Sequence, residues 1–85
     1  MSRDTDRRAG LMTDAGLCRA RGWSVGDLLW GVECGRTTVI RLTAIGEQHV
    51  LARAVKRNGV VLRDSPEAHW TLSCREWTRV LPEGW

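Results

Sequence analysis

Three cysteines and two histidines, Cys18, Cys34, Cys74, His49 and His69, are the residues of this chain best suited to metal or nucleophilic chemistry. A tetrahedral metal centre usually draws its ligands as close pairs, because two donors on one turn already form half the site. Of Cys34, His49, His69 and Cys74, only His69 and Cys74 are neighbours along the chain. That spacing predicts no metal centre and no cofactor, leaving ordinary thiols and surface imidazoles. Cysteine catalysis needs a thiol beside a base that a third group orients. Arg75 follows Cys74, and a guanidinium favours a thiolate. No nucleophile motif, phosphate loop or dinucleotide fingerprint accompanies it. Cys74 therefore reads as a small buried hydrophobe, and the chain reads as non-enzymatic.

The remaining chemistry is cationic. The chain has 13 Lys and Arg against 10 Asp and Glu, a net charge of +3. The surplus is uneven: residues 1–24 carry five Arg and three Asp, whereas residues 25–85 carry eight basic and seven acidic residues. A near-neutral main body is a weak footprint for a polyanion, since backbone-tracking proteins show a plain excess of cations. What stands out is a local group, Arg41, Lys56, Arg57 and Arg63, with Trp30 as the candidate exposed ring.

That group is placed by Asn58-Gly59. A type I′ turn requires positive φ at both central residues, and Asn-Gly supplies it at least cost. A two-residue loop then sets Arg57 against Val60, Lys56 against Val61, Val55 against Leu62, Ala54 against Arg63 and Arg53 against Asp64. One face of this hairpin carries Leu51, Val55, Val60 and Leu62, and the other Ala52, Ala54, Lys56, Val61 and Arg63. Side-chain volume puts the first face in the core, Lys56 and Arg63 outside, Arg57 at the turn, and Arg53 in a cross-strand pair with Asp64.

The rest of the chain reads as short strands. Leu28–Gly31 follows an entry, Trp23–Asp27, where the Asp27 carboxylate takes backbone N–H groups of a turn. Gly31 to Arg36 reads as a loop. Thr37–Ile45 is rich in β-branched residues, with Ile40, Leu42 and Ala44 on one face and Val39, Arg41 and Thr43 on the other. His49–Val55 and Val60–Asp64 form the hairpin, and Ser65-Pro66-Glu67 interrupts it because Pro cannot donate to a ladder. Trp70–Leu72 is extended, Ser73-Cys74-Arg75-Glu76 spells a capping box for one helical turn, and Thr78–Leu81 closes the fold. The predicted core is Trp23, Val25, Leu29, Ile40, Leu42, Leu51, Val55, Leu62, Leu72, Trp77 and Val80. Residues 1–22 read as a flexible Arg-rich tail, helical at most between Thr13 and Arg21 where Thr13 can cap a turn. Residues 23–85 form the domain.

At 85 residues, with five Trp and no Phe or Tyr, one small core is filled chiefly by indole rings. Five to six short antiparallel strands with one helical turn before the last predict an all-β, SH3-like barrel, since closure removes edges that a small chain cannot otherwise cover. The segments W-S-V-G-D-L-L, R-T-T-V-I-R-L-T-A-I-G-E and W-T-L-S-C-R-E-W-T-R-V resemble small uncharacterised SH3-like proteins encoded by actinobacteria and their phages, over Trp23 to about Val80. The resemblance implies a barrel fold and a phage or prophage origin, and it carries no active site. An odd cysteine count, with no apolar run long enough for a membrane span or a signal peptide, predicts a cytoplasmic protein. The expected function is a binding module that docks on a host protein through Trp30, Arg41, Lys56, Arg57 and Arg63. The alternative is nucleic acid, bound by the same hairpin and the Arg-rich tail.

Overall fold

The computed structural model describes residues 13–73 and 75–84. A helix, α1 (Asp14–Arg21), precedes six strands: β1 (Leu28–Glu33), β2 (Arg36–Ile45), β3 (Val50–Arg57), β4 (Val60–Val61), β5 (Ala68–Trp70) and β6 (Trp77–Val80). A 3₁₀ turn over Pro82–Gly84 follows. Every pairing is antiparallel, in the order β4-β3-β2-β1-β6, with β5 on β3. β4 and β5 thus share one edge of β3, β4 beside Lys56 and Arg57 and β5 beside Val50–Ala52.

The fold is mainly β, as expected, but the sheet is not closed into a barrel. Among the described residues no ladder joins β6 to β4 or β5. The seam is spanned by side chains instead. Trp70 of β5 and Trp77 of β6 meet edge to face, their centroids 6.1 Å apart at 84°, a geometry the ring quadrupoles favour.

The helix lies in the stretch between Thr13 and Arg21 where the sequence allowed one; residues 1–12, expected to be flexible, lie outside the described residues. Thr13 caps α1, its hydroxyl accepting the Gly16 N–H at 2.9 Å. At the other end Gly22, at φ 75°, donates to Arg19 O while Trp23 N–H reaches Cys18 O. This is a Schellman closure, which needs a left-handed residue at that position. Eight residues are too few for a helix to hold in isolation. Tertiary contacts supply the rest: Ala15 and Cys18 are fully buried beside Trp23 in the core, and Ala15 N–H donates to Gln48 O. The Arg19 guanidinium donates to the carbonyls of Gly46 and Glu47. Its fully buried apolar residues are one Ala and one Cys, too small to give a periodic signal in the sequence.

The Asn58-Gly59 hairpin forms as expected, with φ 52° and 83°, Lys56 opposite Val61, and Leu62 N–H donating to Val55 O at 2.9 Å. The Asn58 side chain adds an anchor, its Oδ1 accepting the Thr37 N–H. The expected loop from Gly31 to Arg36 is a second tight turn. β1 runs on to Glu33, and only Cys34 (φ 51°) and Gly35 (φ 78°) turn the chain. Cys seldom adopts positive φ, so this turn left no mark in the sequence. Asp27 behaves as expected, its carboxylate accepting the Ser24 N–H at 2.9 Å.

The face assigned to β3 is overturned. Val50, Ala52 and Ala54 point into the core and Leu51 is 36% exposed. An irregularity on β3 explains the reversal, and a second one shifts the phase of β2. Val39 pairs with Lys56 but Ile40 with Ala54, so Val55 is an extra residue on β3. Leu42 pairs with Ala52 but Ala44 with Leu51, so Thr43 is an extra residue on β2. Each bulge shifts side-chain parity by one. Val60 and Leu62 keep the phase of the inner face, although Val60 at the sheet edge is 63% exposed and not in the core as expected, while Leu51 and Arg53 turn out. Arg53 does not pair with Asp64 but donates to the Ser65 carbonyl at 3.0 Å. Of the predicted core, Trp23, Leu29, Ile40, Leu42, Leu72 and Trp77 are buried, Val55, Leu62 and Val80 half-buried, and Val25 is exposed. The strand expected at Val60–Asp64 ends at Val61. The helical turn expected at Ser73–Glu76 includes Cys74, which lies outside the described residues.

Candidate binding face

Two lateral rows on the outer face of the sheet organise the site. Thr78, Trp30, Val39, Lys56 and Val61 stand opposite one another across β6, β1, β2, β3 and β4. Beside them run Val80, Leu28, Arg41 and Arg53. Directly opposed residues project to the same face, so Trp30, Lys56 and Arg41 share one surface, as their types suggested. Trp30 is 41% exposed, and Val32 and Val61 about half exposed. Val39 between Trp30 and Lys56 is buried. The centre is therefore apolar and the flank cationic.

Arg53 joins this face, and sequence reasoning missed it. The Val55 bulge lets Arg53 and Lys56, three residues apart, project to the same side. Arg41 and Arg53 are directly opposed, and like charges across a ladder repel. No salt bridge to either is found among the described residues. The signal that could have revealed this is the pairing of Arg41 with the third strand, which needs the bulges to be placed first.

The other two predicted residues go elsewhere. Arg63 is exposed in the bend after β4. Arg57 falls on the inner face, in a row of Trp77, Gly31, Thr38, Arg57 and Val60. There it borders two openings. One is a cleft of about 480 Å³ at the open seam, whose lining includes Trp70, Trp77, Ala54 and His69. The other is a recess of about 280 Å³ lined by Cys34, Arg36, Thr38 and Arg57. Each has a buried donor, Trp77 Nε1 and Thr38 Oγ1, without a hydrogen-bond partner among the described residues. Unpaired buried donors are costly, about 1–3 kcal/mol each.

The cysteines separate by environment. Cys18 is fully buried; burial first, then the Asp14 charge, pushes its thiol above the usual range. It is no nucleophile at neutral pH. Cys34 is exposed at its turn, and both are free thiols. His49 and His69 were expected as surface imidazoles, and both are exposed. Their rings stand edge to face, 4.9 Å apart, far along the sheet from Cys34.

A single open antiparallel sheet capped by one short helix, with an aromatic and cationic outer face, defines a small mainly-β domain. The chain belongs to the family described as Domain of unknown function (DUF7241), whose model matches residues 12–82. That match includes α1 and so takes the helix as part of the domain. No curated protein and no solved structure matches the chain. Among the described residues no helix is long and apolar enough to cross a membrane.

Proposed function

We propose that this chain is a non-enzymatic binding module, of phage or prophage origin, that docks on a host protein and modulates it. The observation that carries the reading is the outer row: Trp30 beside buried Val39, with Val32 and Val61 exposed and Arg41, Arg53 and Lys56 alongside. An apolar, aromatic centre with a charged flank is the anatomy of a protein interface, where a desolvated Trp is a frequent anchor. The opposed arginines favour a partner that brings carboxylates to that flank. The antiparallel strands, two tight hairpins and Trp70–Trp77 contact across the seam support an SH3-like relationship, with side chains closing what hydrogen bonds leave open. The free thiols Cys18 and Cys34 suit a reducing cytoplasm.

The same arginine pair favours the alternative, a nucleic-acid partner, because a polyanion also relieves its repulsion. Trp30 is the one exposed Trp among the described residues, a poor stacking platform by itself, which weighs against it. Affinity capture from host lysate with Trp30→Ala as comparison tests the reading. One nuclease-resistant host protein should be recovered, and its affinity should fall by about 2 kcal/mol in the variant. Nuclease-sensitive recovery would select the nucleic-acid reading instead. In that case Arg41→Glu with Lys56→Glu should lower the slope of log affinity on log salt by about two.

A further inference from the structure

We propose that Asp14, His49 and His69 form a binding site for a divalent first-row transition cation. They belong to three elements distant in sequence: the first residue of α1, the residue before β3, and the centre of β5. The fold brings one donor atom from each within 4.8 Å of the others. Tetrahedral ligation at about 2.0–2.2 Å sets donors roughly 3.3 Å apart. Closing by up to about 1.5 Å is a side-chain rotation for two imidazoles that are both exposed.

The carboxylate is already oriented for the role. Asp14 is 9% exposed, and its two oxygens have separate duties. Oδ1 accepts the Leu72 N–H at 2.9 Å and the Ser73 N–H at 3.3 Å. Oδ2 faces His69 Nε2 at 3.9 Å. Backbone donors on one oxygen fix the carboxylate plane and leave the other for a ligand, which is how outer contacts usually hold a metal-binding carboxylate. At 3.9 Å the His69 contact is too long for a hydrogen bond, so the pair gains from an ion between its members. Two imidazoles and a carboxylate suit zinc and its neighbours better than calcium or magnesium. Three protein donors leave at least one coordination position for water or a partner's side chain. A bound ion would also clip α1 to the β3–β5 edge, coupling metal to the stability of the helix.

Titration of the full chain with Zn²⁺, and with Co²⁺ as spectroscopic probe, tests this. One equivalent should bind, raise the thermal midpoint, and give Co²⁺ visible ligand-field bands without a thiolate charge-transfer band. Binding should weaken in acid, because protons compete with the metal for its ligands. His49→Ala and His69→Ala, both at exposed positions, should each lower affinity at least about tenfold. Asp14→Asn, which keeps the acceptor for Leu72 and Ser73, should do the same with the fold intact by circular dichroism. No saturable uptake by the parent, a thiolate band, or full retention of affinity in either histidine variant would overturn the site.

Discussion

Trp30 and Trp77 stand one register step apart on neighbouring strands, yet one is 41% exposed and the other 3%. Their surroundings, not their residue type, separate them. Opposite Trp77 is Gly31, where an added Cβ would lie 2.7 Å from the indole Cε3, so the ring occupies the space a side chain would take. Ala54 lines the same cleft, again leaving volume. Opposite Trp30 are Thr78 and Val39, and no glycine receives the ring. The inner face pairs large with small and becomes core; the outer face pairs a ring with a β-branched residue and keeps the ring in solvent. For an indole in a small sheet, the residue across the ladder decides between packing and recognition.

That contrast can be broken most directly at Trp77. Trp77→Ala should cost about 3–5 kcal/mol, the range for a buried large aromatic, and a domain of this size has little more in reserve. Urea unfolding should show loss of the cooperative transition; a folded, cooperative variant would place Trp77 outside the core. Gly31→Ala attacks the same packing from the other strand. It should cost about 1–3 kcal/mol through overpacking, and pairing it with Trp77→Leu should recover part of that loss in a double-mutant cycle.

Smaller effects sharpen the comparison. Cys18 has its thiol raised by burial, so the unfolded chain ionises before the folded one. The associated stability is complete below the unfolded value of 9.0 and is lost as pH rises beyond it. The unfolding midpoint should therefore fall above about pH 9, and Cys18→Ala should flatten that part of the curve. Trp30→Ala should move stability least, within about 0.5 kcal/mol, as an exposed substitution does. Its cost should appear in partner affinity alone.

Local chemistry in the sequence determined a good deal. Asn58-Gly59 specified a turn with both φ positive and its register, because few dipeptides adopt that conformation cheaply. The β-branched run of β2 specified a strand with Ile40 and Leu42 inward, and Thr13 marked the cap of α1. These features depend on neighbours a few residues away. Tertiary structure decided the rest. The bulges at Val55 and Thr43 arise only when β2 and β3 pair; the one at Val55 moved Leu51 out and Arg53 onto the binding face, while Arg57, opposite Val60 beyond it, kept the inward phase. α1 gains its stability from Ala15 and Cys18 packing into a core made by distant strands, which an eight-residue segment cannot signal alone. Asp14, His49 and His69 meet because α1 docks on the edge where β5 pairs with β3. Alternation along a strand assigns faces only while the ladder is unbroken, so one extra residue in a pairing redirects every side chain beyond it.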